Sequence, residues 1–267
     1  QQHGLPRANF VLACTHSHTA PQIDRGLDNI YSTPLNDDER ARTAAYTERV
    51  RERIIQVVAD AIADLKPGRL FTAAGEAHFA VNRRVIRDGK WTGFGINPAG
   101  PIDHALPVLK ITDPTGRQIR GLVFNYACHC TTFGGDYNRV NGDWAGYAAK
   151  YLEEEHPEAT AICTIGCGAD ANPERVPARA FMIAQAHGRE RLIAGPMTEV
   201  TAPLRATYGF AGLPIDRPSR EELRERLNDT SPQVRRHADT MLEIRQRMGR
   251  LPETYPMPIQ VWRFGDQ

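Results

Sequence analysis

Short apolar runs that break off into polar, glycine-bearing turns most constrain what this chain can fold into. Residues 10–13, 106–112, 120–127 and 162–165 each have strand length. Helical stretches lie between them. Residues 38–65 place Val50, Ile54, Val57, Val58, Ala61, Ile62 and Leu65 at helical spacing, and Pro67-Gly68 stops the run. A second helix is expected from Asp143 to about Glu154, before Pro157. Strands interleaved with helices predict an α/β protein with mixed β-sheet layers flanked by helices, its active site at the strand ends. The stripe on the first helix is expected to be core packing against a sheet. Asp113-Pro114-Thr115-Gly116 has the residues of a hairpin turn between two of the strands.

Chemistry gathers where the apolar runs stop. Residues 10–13 lead into Cys14-Thr15-His16-Ser17-His18-Thr19-Ala20-Pro21. Side chains two apart on a strand share a face, so His16 and His18 should project together, and paired neutral imidazoles are a partial ligand set for zinc. The run through Asn125-Tyr126-Ala127 ends at Cys128-His129-Cys130, which offers His129 as a further nitrogen ligand. Cys128 and Cys130 should point away from the His129 face as packing residues, because no Cys-x-x-Cys pair marks a zinc knuckle. Asp143 is expected to cap its helix. Gly166-Cys167-Gly168-Ala169-Asp170-Ala171-Asn172-Pro173 is a turn whose glycines allow positive φ or close backbone approach. It lacks the Lys-Ser/Thr ending of a Walker loop.

Together with Asn82-Arg83-Arg84 and Gly142-Asp143-Trp144-Ala145-Gly146-Tyr147-Ala148, these blocks resemble the catalytic N-terminal domain of the neutral/alkaline non-lysosomal ceramidase family. They occur in the family's order between residue 10 and about residue 195. The resemblance implies a zinc amidase that cleaves the N-acyl bond of a sphingolipid or a related small-molecule or lipid amide. It implies zinc ligation by His16 and His129, with His18 beside the metal. It places Arg83 on the carboxylate or carbonyl end of the acyl group, where a planar guanidinium donates two parallel hydrogen bonds. Asn172 is a further substrate-binding candidate. Asp170 or His18 would orient water or pass a proton to the leaving amine.

Two departures accompany the resemblance. The family carries a serine in a Gly-Asp-x-Ser-Pro-Asn turn, and Ala171 occupies that place here. The family's remaining ligands, a Glu and a Tyr, lie in segments after the one ending at Gln267. The expectation is therefore a single truncated ceramidase-like domain over residues 1–267, binding zinc weakly by itself. A helical, Arg/Glu-rich insertion or subdomain is expected at residues 205–257. Within it Ser219-Arg220-Glu221-Glu222 is a capping box, Ser231-Pro232 starts a second helix, and the pair is expected to be solvated with little apolar face.

A formal charge of +1 gives no reason to expect a nucleic-acid or anionic-membrane partner. No apolar run approaches the ~20 residues of a transmembrane helix. No leader peptide is visible, although the resemblance suggests export. Five cysteines form no evident disulfide framework. Residues 88–101 look like a Gly/Pro-rich loop, whose Trp91 and Phe94 either line a substrate mouth or pack on the surface. A helix is expected near residues 178–193, with its His187 a surface or packing residue. The favoured chemistry is attack on an amide carbonyl by metal-activated water. Its rivals are an amidohydrolase barrel, a zinc hydrolase of another amide or an ester on the same scaffold, and a binding protein without turnover.

Overall fold

The computed structural model describes residues 3–26, 33–174, 192–201 and 203–265. His187 and most of the helix expected around it lie outside these residues. In chain order the elements are α1 (Asp37–Ala63), β1 (Arg69–Glu76), β2 (Ala80–Asn82), β3 (Arg84–Arg87), β4 (Lys90–Phe94), β5 (Ala105–Thr112), β6 (Ile119–Tyr126), α2 (Asp143–Glu155), β7 (Thr160–Ile165), β8 (Ala171–Pro173), β9 (Thr198–Glu199), β10 (Leu204–Pro214), α3 (Arg220–Arg226), α4 (Pro232–Met248) and β11 (Thr254–Phe264). The class is α/β. Contacts divide the chain into two compact units.

The first unit comprises Leu12–Ala20, Leu65–Leu204 and Phe264–Gln267. It holds a five-stranded mixed sheet in the order β7-β6-β5-β1-β9. Alternation builds its core. Leu122, Phe124 and Tyr126 on β6 and Leu106 and Val108 on β5 are buried, with Val108 opposite Phe124 in the ladder. Helix α2 buries Trp144, Ala145, Ala148 and Leu152, a one-sided stripe, and packs on β7. The β6–β7 pair is parallel, and the chain between the two strands contains α2. Two neighbouring strands thus end at the same edge, and the loops that leave them can meet there.

The expected hairpin between β5 and β6 is present. The expected 88–101 loop is in its first half a strand: β3 and β4 pair around Asp88 and Gly89, both with positive φ. Asp-Gly between β-branched and aromatic residues is a strong two-residue hairpin signal, and it outweighs the loop-like glycine content. Residues 10–13 form neither a strand nor a buried segment, and Val11 and Leu12 are exposed. Apolar composition cannot make a strand without a ladder partner, and among the described residues the 12–20 segment makes no ladder beyond an isolated parallel bridge of Ser17 with Cys130.

The second unit comprises Gln1–Val11, Pro21–Asp64 and Arg205–Arg263. Helix α1 starts with a full capping box, Asn36 with Glu39. Its stripe is only half-buried at Val50, Ile54, Val58 and Ile62; Ile55 and Val57 face out, and no α1 residue is buried. The expected core packing is therefore not observed among the described residues. Residues 205–257 are not helical throughout. β10 and β11 form a two-stranded sheet, and the helices occupy only Arg220–Arg226 and Pro232–Met248. The Tyr208 and Phe210 region of β10 has strand-forming residues where the Arg/Glu density further along suggested helix. Both expected helix starts are present, Ser219 with Glu222 and Ser231 with Pro232. The helix pair is not merely solvated. Leu223, Ala238 and Leu251 make a small core with Leu227, Met241, Leu242 and Ile244 against it.

Candidate metal centre

His129 sits in the strand-end segment after β6, and the surrounding chain fixes it from every side. Its backbone N–H donates to the Ala171 carbonyl at 2.9 Å, and its carbonyl accepts from the Trp144 indole at 2.9 Å. Its Nδ1 lies 2.7 Å from the Gly168 carbonyl and 3.2 Å from that of Ala171. Because carbonyls only accept, Nδ1 carries the proton and Nε2 keeps a free lone pair. A ring nitrogen tied to a carbonyl so that the other can bind metal is the usual setting of a ligating histidine.

The turn that supplies these carbonyls leaves the end of β7. A Cβ on Gly168 would lie 2.5 Å from the Cys128 nitrogen, so the glycine is required by close approach. Its φ is not positive, so conformational freedom is not its reason here. Cys128 and Cys130 are fully buried in the core, as packing residues. Burial pushes both thiols well above the ordinary cysteine range, which disfavours the thiolate a metal would need.

His16 and His18 arrive on the exposed 12–20 segment. His16 has a left-handed φ of 55°, so the pair does not meet by strand alternation. The rings nevertheless converge. His16 lies edge-on to His129 with centroids 4.5 Å apart, and His18 lies 4.9 Å from His16 and 5.7 Å from His129. One nitrogen from each of the three falls within 4.8 Å of the others. That convergence, with the His129 tautomer set by Gly168, fits a metal ion. Ser17 and Thr19 hydroxyls both donate to the Asn141 carbonyl, at 2.9 and 2.7 Å, and the His18 N–H donates to the Cys130 carbonyl. These bonds hold the segment's backbone. Among the described residues, no side-chain hydrogen bond fixes the His16 or His18 ring.

Desolvation holds the His18 pKa below the usual 6.5; His16 and Arg83 push the same way and Asp143 opposes them. His18 is exposed along its side chain, so this desolvation comes from crowding around the ring. Burial also lowers His129, opposed by its bond to the Gly168 carbonyl. Both shifts favour the neutral ring, the form a metal binds.

Arg83 spans the second side of the site. Its Nε donates to the Ala169 carbonyl at 3.1 Å and a terminal nitrogen to Asn172 Oδ1 at 3.4 Å. The Thr131 hydroxyl also donates to Asn172 Oδ1, at 3.3 Å. The Asp170 carboxylate accepts from Asn82 Nδ2 at 3.3 Å, while its carbonyl accepts from the Arg83 N–H. Arg83, Asp170 and Asn172 thus form one group on the 168–172 turn. Asp170 is not among the three residues whose ligand atoms converge.

No family model matches the chain. Solved structures do. A neutral ceramidase from Pseudomonas aeruginosa superposes with a TM-score of 0.54 at 18% identity, over 86% of this chain and 43% of that one. A ceramidase complexed with C2 gives a TM-score of 0.59 at 16% identity, over 95% of this chain and 48% of that one. The fold is that of ceramidase. The chain spans about half the length of these ceramidase structures.

On this ceramidase fold two buried residues matter more than their sequence context suggested. Asp143 is not the cap itself: Gly142 is, and Asp143 begins α2 with a φ of 53°. Its fully buried carboxylate accepts from the Thr132 N–H and hydroxyl, at 3.0 and 2.6 Å, and from the Trp144 N–H. It thereby clamps the strand end that carries His129, and its charge favours a protonated His18. Asn82, also buried, donates to the Pro101 carbonyl and accepts from the Arg84 N–H, which sets the chain on both sides of Arg83. In the sequence Asn82 was legible only as part of the Asn82-Arg83-Arg84 block, with no sign that it is buried.

Proposed function

We propose that this chain carries the metal centre of a zinc-dependent amidohydrolase that cleaves an N-acyl bond of a sphingolipid-like or related amide. The convergence of His16, His18 and His129 on a ceramidase fold carries this reading. His16 and His129 would hold the ion. A bound zinc would supply a Lewis acid and bring the pKa of a water down to about 7. His129 contributes a neutral, pre-oriented Nε2. His18, crowded against the other rings, would take a proton and pass it to the leaving amine. Arg83, braced by Ala169 and Asn172, donates to the acyl oxygen and holds the scissile group. Asp170 keeps Asn82 and Arg83 in place and is the second candidate for proton transfer.

Ala171 favours a second reading, in which the scissile bond is another amide or an ester. It is buried and uses its carbonyl to accept from the His129 N–H, so this position offers no hydroxyl nucleophile. Direct attack by water, without an acyl-serine intermediate, is expected in both readings. The test is metal content after dialysis together with hydrolysis of a panel of short-acyl amides and esters. Zinc-dependent amide cleavage supports the first reading and ester-only cleavage the second. Bound metal with no turnover on the panel would leave a binding protein.

A further inference from the structure

The β3–β4 hairpin presents apolar side chains that no core takes up. Its register pairs Arg84 with Phe94 and Ile86 with Trp91, and the register shift between Val85 and Ile86 brings Trp91 and Phe94, three residues apart, onto one face with them. On that face Ile86 is 49% exposed, Trp91 54% and Phe94 64%. The Trp91 and Phe94 rings meet edge to face, 5.6 Å between centroids. Joined apolar groups left in water mark a binding surface more than scattered ones do.

This row leads to the candidate centre. At its base the Arg83 guanidinium lies over the Phe94 ring, 4.5 Å from the centroid. Arg83 is bonded to the 168–172 turn, and that turn's Gly168 carbonyl also orients His129. The apolar row therefore starts at the guanidinium nearest the histidines and runs outward along the strand. The far end is polar: Arg87, Asp88, Gly89 and Lys90 form the tip. A hairpin built to dip into a bilayer would carry its apolar groups at the tip, as interfacial anchors do. Here they lie along the shaft, one strand wide, with charge beyond them.

We infer that Phe94, Ile86 and Trp91 form the track for the linear hydrocarbon chain of an acyl substrate whose polar end is held at Arg83. This rests on the acyl-substrate reading above and adds where the chain lies and how long it is. The path from the guanidinium to the Phe94 ring, 4.5 Å, and on from there to the Trp91 ring, 5.6 Å, reaches about 10 Å at most, the span of roughly eight extended carbons. Trp91 ends the track.

The test is equilibrium binding of straight-chain carboxylates of about four to about fourteen carbons, each below its micelle threshold, to the whole chain. Affinity should rise about two- to fourfold for each added methylene, up to roughly eight carbons, and then level off. Trp91→Ala should bring the plateau to a shorter chain, and Phe94→Ala should flatten the slope from its start. Both side chains are exposed, so the variants should fold, which their circular dichroism would verify. Affinity independent of chain length, or an unchanged slope in the double variant, would overturn the inference. So would hairpin-dependent binding to phosphatidylcholine vesicles without any chain-length trend. The readout is binding and not turnover. Loss of the chain trend with amide hydrolysis intact would sink only the track, and the reverse outcome would sink only the proposed reaction.

Discussion

The two halves of the histidine cluster are built in opposite ways. His129 is buried at the end of a central strand, with its N–H, carbonyl and Nδ1 all bonded to chain that the core holds. His16 and His18 stand exposed on a segment joined to the body by a single bridge and a few bonds to Cys130 and Asn141. One half is set before any ion arrives. The other has its backbone placed and its rings free to adjust. A metal site made this way would pay its ordering entropy mainly on the exposed side, while the buried side would fix where an ion sits.

Replacing the histidines one at a time breaks this comparison most sharply. His129→Ala is expected to abolish zinc binding, because it removes the pre-oriented donor. His18→Ala should leave zinc bound with affinity about 10- to 100-fold weaker, the range for groups that support a metal site. Metal content after dialysis, with a competing chelator for affinity, measures both. Equal loss in the two variants would mean that the buried and exposed halves matter alike.

The next effect tests what makes the buried half rigid. Asp143→Ala leaves the Thr132 N–H and hydroxyl and the Trp144 N–H without their buried acceptor. A destabilisation of about 3 kcal/mol is expected, since each such group costs ~1–3 kcal/mol and relaxation recovers part of the sum. Asp143→Asn should cost about half as much, because it keeps one acceptor oxygen and asparagine tolerates the left-handed φ. Denaturant midpoints with an unchanged m-value would verify this. A stable Asp143→Ala protein would show that the strand end holds itself.

Arg83→Ala comes third. It should weaken handling of the acyl group by ~1.5–3 kcal/mol, read from kcat/KM, with zinc content unchanged. Arg83→Lys should restore only part, because an ammonium cannot bridge Ala169, Asn172 and a substrate oxygen as a planar fork does. Zinc loss in either variant would join Arg83 to the metal half of the site.

The same contrast explains what was legible in the sequence. The β5–β6 hairpin and the strand-end placement of His129 follow from short apolar runs and their turns, which local pattern encodes directly. The convergence of His16 with His18 was legible as a motif, but the supposed reason was wrong: a left-handed residue brings the rings together where strand alternation was expected. Asp143 was obscured because a buried clamp and a helix cap have the same local sequence. The clamp depends on Thr132, eleven residues away, which no local pattern reports. The α1 stripe shows the limit of periodicity: spacing places Val50, Ile54, Val58 and Ile62 on one face, but burial needs a partner surface that the helix cannot specify. The β3–β4 hairpin was legible in Asp88-Gly89 and was outweighed by the glycines and prolines after it.

The smallest expected effect is a control at the other end of β6. Asp113 closes the turn between β5 and β6, and His129 follows the opposite end of β6. Its carboxylate accepts from the Thr115 hydroxyl at 2.6 Å and from the Arg117 and Gln118 N–H groups at 3.0 Å each. The Thr115 bond first, then that from Gln118, lowers its pKa from 3.8 to about 2. The folded state therefore binds its proton less readily than the unfolded chain does. The stability this carboxylate contributes is full above about pH 3.8 and is lost as pH falls through about 2. The group is exposed, so the contribution is modest. Asp113→Asn should lower the denaturant midpoint slightly and equally at every pH above about 5, and the gap from the parent should close as pH approaches 2. Zinc content should not change. A gap that persists at low pH would show that the turn depends on side-chain shape and not on the ionised acceptor. Zinc loss in this variant would mean that β6 transmits disorder along its length to His129, and the buried half of the site would then be less independent of its surroundings than its bonds imply.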